Sequence, residues 1–111
     1  MTTLEIQTES RGRTLIVHLA GEFDLSGLRD FQRALADVRA PDVTRVVVDL
    51  RELAFMGASG LRALLAVQAR SERDAFELFV VRGPPQVQRV FEMTGVDRRL
   101  VFVEDPASLA S

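Results

Sequence analysis

Val46-Val47-Val48-Asp49-Leu50 passes through Arg51 to Ala54 into Phe55-Met56-Gly57-Ala58-Ser59-Gly60-Leu61. Four of the first five residues are β-branched or Leu, which suits a strand covered on both faces in the middle of a parallel sheet. The pattern predicts the central strand, a short link over 51–54, and a small-residue turn that opens a helix. Gly57, Ala58, Ser59 and Gly60 have too little side chain to fill a core. They let the backbone turn sharply and let another molecule come close. Ser59 is placed to cap the helix, whose first amides lack intrahelical partners and carry the positive end of its dipole. The turn is therefore the candidate site.

Upstream, Leu4, Ile6 and Thr8 alternate with Glu5, Gln7 and Glu9, the period of an edge strand with one wet face. Ser10-Arg11-Gly12-Arg13 supplies turn chemistry, and Thr14 to Ala20 reads as the second strand of a hairpin, with Leu15, Val17 and Leu19 on one face. His18 falls on the other face beside Ile16, where a lone histidine is read as a packed strand residue without a catalytic role. Gly21-Glu22-Phe23-Asp24 breaks the strand. Ser26 then reads as the N-cap of a helix carrying Leu28, Phe31, Leu35 and Val38, which Ala40-Pro41-Asp42 ends. Strand, helix, strand implies a parallel crossover.

Downstream of Ser59, Leu61, Leu64 and Leu65 point inward, while Arg62, Arg70 and Arg73 read as a solvated face and Ser71 to Asp74 as a frayed end. Phe76, Leu78, Val80 and Val81 form a fourth strand, stopped by Arg82-Gly83-Pro84-Pro85. A helix with a prolyl start follows, with Val87, Val90 and Phe91 on one side and Thr94-Gly95 as its break. Leu100 to Val103 reads as a short last strand, and Pro106 to Ala110 as a final helical turn. The expected class is α/β: a mixed sheet of about five strands with helices packed on it.

The 111 residues, 47% hydrophobic and 27% charged, fit one globular domain over 1–111. Apolar stretches are strand-sized, so neither membrane insertion nor a leader is expected, and the chain reads as cytoplasmic. A net charge of −2 without a basic stripe argues against nucleic acid. Cysteine is absent and all 14 basic residues are arginine, which excludes disulfides, thiol chemistry and a lysine Schiff base. No zinc or phosphate-loop spacing occurs, so neither metal nor cofactor is expected, and one histidine gives little basis for hydrolysis. Glu22, Asp24 and Asp49 lie near strand ends, where α/β folds place sites but where acidic residues also cap turns. Residue chemistry thus yields a binding surface and no reaction.

Three stretches in order resemble one family, the anti-sigma factor antagonists, which are single STAS domains. Gly21-Glu22-Phe23-Asp24 is similar to its G-E-[LF]-D. Val46 to Leu50 with Phe55 to Leu65 is similar to V-V-x-D-L followed by F-[MI]-D-S-[ST]-G-L-x-x-L-L. Val87 to Val96 is similar to V-x-R-[LV]-F-[ED]-x-[ST]-G-[LV]. The resemblance implies a non-enzymatic switch that binds an anti-sigma factor of the serine protein kinase type and so releases a sigma factor. It further implies partner contacts at Asp24, Leu25, Ser26, Gly57, Ala58, Ser59, Gly60 and Arg62, in a monomer or weak dimer.

In that family the kinase phosphorylates the first serine of the D-S-[ST]-G turn and so weakens the complex. Here Gly57 stands for the aspartate and Ala58 for the phosphoacceptor serine. Ser59 is the remaining hydroxyl and the alternative acceptor. A permanently active antagonist is the simplest implication; a decayed contact and deliberate alteration of positions 57 and 58 are the alternatives. Two further roles stay open: a STAS subunit of a larger assembly, such as a lipid-transport ATPase or a stress-signalling complex, and a small-ligand or nucleotide sensor using the helix start at Ser59.

Overall fold

The computed structural model describes residues 3–39 and 41–109. Strand β1 (Leu4–Arg11) pairs antiparallel with β2 (Thr14–Phe23), in register from Leu4 opposite Gly21 to Arg11 opposite Thr14. Gly12 and Arg13 make the two-residue turn, and Gly12 takes the first central position at φ +58, where an L side chain is strained. Strands β3 (Arg45–Met56), β4 (Glu77–Val81) and β5 (Phe102–Val103) follow in parallel, so the sheet order is β1-β2-β3-β4-β5. The crossovers carry helices α1 (Leu28–Ala34), α2 (Ala58–Asp74) and α3 (Pro85–Thr94). The expected edge hairpin, central strand, α/β class and prolyl start of α3 are all present.

One correction concerns the layers. All three helices lie on the same face, where Phe31, Leu64, Val67, Val87 and Phe91 meet Val17, Leu19, Val46, Val48, Leu50 and Val80. The opposite face carries no α-helix among the described residues. Its apolar part is a strip of Ile16, Val47 and Val81, with Phe79, Val103 and Leu109 packed against it. Residues 46–50 are buried throughout, so the expectation of two covered faces holds for the strand centre but not through a second helical layer.

The strands also run further than their apolar patterns suggest. The 51–54 link is part of β3, and 21–23 extend β2. Registers His18 to Asp49 and Ala20 to Glu52 differ by one residue, as do Gly21 to Leu53 and Glu22 to Phe55, so β3 carries two bulges. Each bulge reverses which residues face the helices, and Leu50, Leu53 and Met56 are therefore the buried series. Conversely β5 is only two residues long, and Leu100 is buried ahead of it.

Helix ends differ too. Ser26 lies within a 3₁₀ turn (Leu25–Gly27) and does not cap α1, whose N-cap is Gly27. Helix α1 stops at Ala34, although Leu35 and Val38 are buried as expected. Ala40, in the expected stop after α1, and Ala110, in the expected last turn, lie outside the described residues; that turn is seen as 3₁₀ over Pro106–Leu109. Helix α2 does not fray over 71–74: it reaches Asp74 and closes on Ala75 at φ 59. Arg70 is not solvated ornament. Its Nη1 and Nη2 donate to the carbonyls of Leu35 and Val38, each at 2.6 Å, and its Nε donates to Asp74 at 3.1 Å. The guanidinium thus ties α2 to the segment that follows α1 through charge-assisted hydrogen bonds.

The helix-free face holds a charge ladder across three strands. His18 on β2 places Nδ1 2.8 Å from Asp49 Oδ2 and Nε2 2.8 Å from Glu9 Oε1. Arg51 donates to both oxygens of Asp49 through Nε and Nη2, and Arg11 donates to Glu9. Two carboxylates can be served at once only by a ring with both nitrogens protonated. Burial disfavours the charged ring, but its hydrogen bonds to Glu9 and Asp49 outweigh this and raise the His18 pKa above its ordinary value. Burial likewise opposes ionisation of Asp49, and the Arg51 and His18 hydrogen bonds overcome it and hold its pKa low. A raised folded-state histidine pKa gives stability that is complete below the unfolded value and lost as pH climbs through the folded one. Urea unfolding from about pH 6 to about pH 9 should therefore show falling stability, and His18→Gln should flatten that slope. An equal slope in the variant would remove His18 from the account.

Candidate functional site

The turn is built by three backbones meeting where β2 and β3 end. Phe23 pairs with Met56, both buried, and the Gly57 N–H donates to the Phe23 carbonyl at 2.9 Å. Gly57 is extended (φ −93, ψ 178) and serves as N-cap of α2, its carbonyl accepting from Leu61 N–H at 3.0 Å. A Cβ added to Gly60 would lie 2.6 Å from the Phe23 carbonyl oxygen and 2.7 Å from Met56 Sδ. Only glycine lets the first turn of α2 rest directly on the ends of both strands.

Gly57 answers to a different neighbour. A Cβ there would lie 2.5 and 2.6 Å from the carboxylate oxygens of Asp24, so that carboxylate occupies the space over the Gly57 Cα. It sits at the positive end of α2, whose own first turn contains no acidic residue. Asp24 does not cap the following turn with its side chain; its backbone carbonyl accepts from Gly27 N–H at 3.0 Å instead. Ser59 is not the N-cap of α2 either. It lies inside the first turn, half-buried, one residue beyond exposed Ala58.

The 24–26 corner and the 57–60 turn are thus brought together through the Asp24–Gly57 contact. Leu25 is 71% exposed, Ser26 is exposed, and Arg62 follows Ala58 by four residues on an open face of α2. Phe55, 47% exposed at the end of β3, is a large apolar side chain that the sequence reading did not single out. Strict alternation from Leu50 places Phe55 outward and Met56 inward, as found, because the two bulges cancel; it misplaces only the stretch between them, where Leu53 is buried. Asp49, grouped by sequence with the strand-end carboxylates, belongs to the helix-free face with His18 and Arg51. Both nitrogens of His18 are engaged there, away from Ser59. Among the described residues no three His, Asp or Glu side chains converge to hold a metal. What the site offers a partner is a bare turn with a carboxylate over it, an exposed leucine beside that carboxylate in the chain, and an arginine one turn along α2.

The packing makes the Asp24–Gly57 pair a coupled unit. Gly57→Ala should cost about 1 kcal/mol in urea unfolding, by displacing the carboxylate and weakening the N-cap. In an Asp24→Ala background the same substitution should cost roughly half as much, since the space is then vacant. Strict additivity of the two changes would show that the contact carries no energy.

Residues 6–104 match a family model described as "Mlab, STAS domain". The chain is 31% identical over 103 residues to a Mycobacterium tuberculosis protein provisionally named an anti-anti-sigma factor, covering 89% of this chain and 68% of the relative. It is 23% identical over 93 residues to the anti-sigma-B factor antagonist of Staphylococcus aureus, covering 84% and 86%. Among solved structures, the unphosphorylated form of the anti-sigma factor antagonist SpoIIAA superposes with a TM-score of 0.79 at 20% identity, over 95% of this chain and 93% of that one. The phosphorylated form of SpoIIAA gives 0.73 at the same identity, over 95% and 96%. With the mixed sheet, the one-sided helical layer and the family match over most of its length, the chain belongs to the STAS-domain family.

Proposed function

We propose that this protein is a non-catalytic anti-sigma factor antagonist that binds its anti-sigma factor through Asp24, Leu25, Ser26, the 57–60 turn and Arg62. Phe55 joins them as an apolar anchor. The observation that carries the reading is the corner at which the Asp24 carboxylate lies over the bare start of α2, with exposed Leu25 next to Asp24 in the chain. Interfaces draw their energy from a few apolar anchors near their centre, and a charge beside them sets orientation. The family relationship supports the choice of partner, and the resemblance at 57–61 supports an anti-sigma factor that is a serine kinase. The protein works in the cytoplasm as a monomer or weak dimer.

The mechanism turns on what position 58 lacks. A phosphoserine adds about −1.5 to −2 charges, which at a close-packed surface beside Asp24 would repel and desolvate. Ala58 has no hydroxyl, so no ester forms there and the surface stays in its binding form. Calorimetric titration against the anti-sigma factors of the same genome should give a complex without prior phosphatase treatment. Asp24→Lys should weaken it by roughly 1–2 kcal/mol while changing stability by no more than about 1 kcal/mol. Binding to none of them would reject the partner.

Incubation with the kinase and ATP should leave the chain mostly unmodified, and the pair Gly57→Asp with Ala58→Ser should be phosphorylated at residue 58. The first substitution must push the Asp24 carboxylate aside, so Ala58→Ser alone is the cleaner substrate. Stoichiometric phosphate on Ser59 of the unaltered chain, located by mass spectrometry, would make Ser59 the switch instead.

The family description also names Mlab, which favours as second reading a subunit of a larger assembly. In that case Leu25 and Phe55 are covered permanently, and the chain purifies in a fixed stoichiometric complex.

A further inference from the structure

A cavity of about 430 Å³ opens on the helix-free face at the end of β3 remote from the turn, between the β1–β2 hairpin and the final 3₁₀ segment. Arg11, Arg13 and Arg45 line it, with Thr14 and Thr44 between them and Ile16 at its floor. No carboxylate is among the lining residues, in a chain whose net charge is −2, so the three guanidiniums make a local excess of positive charge.

Their surroundings leave donors to spare. Arg45 is held in place: Nη1 donates to the Leu109 carbonyl at 2.6 Å, and the guanidinium lies 5.6 Å over the Phe79 ring. Its Nη2 is 3.7 Å from the well-exposed Glu77, and its buried Nε has no hydrogen-bond partner among the described residues. Arg11 gives only Nε to Glu9, which leaves both terminal nitrogens. Arg13 has neither an ion pair nor a side-chain hydrogen bond among the described residues. The backbone beneath is fixed, since Thr44 N–H and Arg45 N–H both donate to the Arg13 carbonyl, at 2.9 and 3.3 Å. That tie holds the hairpin tip against the start of β3, so the cations are positioned before any ligand arrives.

We propose that this cavity binds a small phosphate ester. Planar guanidinium forks match the oxygen pairs of a phosphate, and the two threonine hydroxyls can donate to the same group. The volume lies in the range of small-molecule sites, roughly 300–1,000 Å³. The site shares no residue with the partner surface around Gly57 and does not rest on the anti-sigma reading.

The test is a titration of the isotopically labelled full chain with phenyl phosphate, followed by amide NMR shifts, with phenylacetate and sodium chloride at matched ionic strength as controls. Phenyl phosphate should shift the amides of Gly12, Thr14 and Thr44 saturably, and chloride should not. Arg13→Gln, at an exposed hairpin tip, leaves the fold intact and should weaken binding roughly tenfold. Arg45→Gln should weaken it at least as much. The proposal is overturned by an absence of saturable shifts, by shifts at Ala58 to Gly60 instead, by tighter binding of phenylacetate, or by unchanged affinity in Arg13→Gln.

Discussion

The structure depends on one close approach: the first turn of α2 lies on the ends of β2 and β3 with no side chain between. Gly60 touches the Phe23 carbonyl and Met56, and Gly57 N–H closes the gap with a hydrogen bond to that same carbonyl. Because the Phe23 oxygen is shared in this way, the two strand ends, the 3₁₀ corner after β2 and the start of α2 form one unit. The Asp24 carboxylate then has a defined place, over a Cα that carries no Cβ. A larger residue at 60 must displace backbone or a buried methionine, whereas one at 57 has only to rotate a short acidic side chain. The two glycines therefore differ in kind: Gly60 is required by the fold, and Gly57 sets where the charge of the proposed binding surface sits.

The strand that leads to this corner shows what a pattern can and cannot convey. Val46, Val48 and Leu50 follow the two-residue period, and their burial against the helices was legible from the sequence. So were the hairpin, the helix face of Leu61 and Leu64, and the prolyl start of α3, because each is fixed by neighbours within a few residues. From Leu50 the buried series steps by three, to Leu53 and then Met56, since a bulge inserts one residue at each step. A reader of alternation sees a break there and places a link over 51–54. The chain instead continues as a strand, whose first bulge brings Leu53 inward and whose second restores the original alternation, with Met56 inward and Phe55 outward at the corner. What decides those bulges is pairing with β2, a contact distant in sequence, so local residue chemistry could not reveal them.

The two faces of the sheet divide the remaining work. On the helical face, apolar burial does the stabilising, and Arg70 ties α2 to the segment after α1 by donating to the Leu35 and Val38 carbonyls. On the other face, beside the apolar strip of Ile16, Val47 and Val81, Glu9, His18, Asp49 and Arg51 form a continuous ladder of charge from β1 to β3. A histidine between two carboxylates looks unremarkable in sequence, since residues 9, 18 and 49 become neighbours only through the registers of both pairings. The same registers bring Arg11, Thr14 and Arg45 into one row beneath the hairpin. Face-wise grouping by register, unlike proximity in sequence, is what separates this positively charged end from the binding corner.

The corner also changes the argument about Ser59. Had its hydroxyl capped α2, phosphorylation would have had to release a bond typically worth about 1 kcal/mol. Gly57 holds the cap position through its backbone, so no such bond protects Ser59. Direction and access then decide the outcome. Successive residues at a helix start project about 100° apart, so a kinase that presents ATP to residue 58 meets Ser59 side-on. Ser59 is also half-buried where Ala58 is open, and the Asp24 carboxylate stands over the neighbouring Cα, where an incoming phosphate would meet like charge. The proposed resistance of Ser59 to modification therefore rests on geometry and electrostatics around the turn, with no contribution from helix capping.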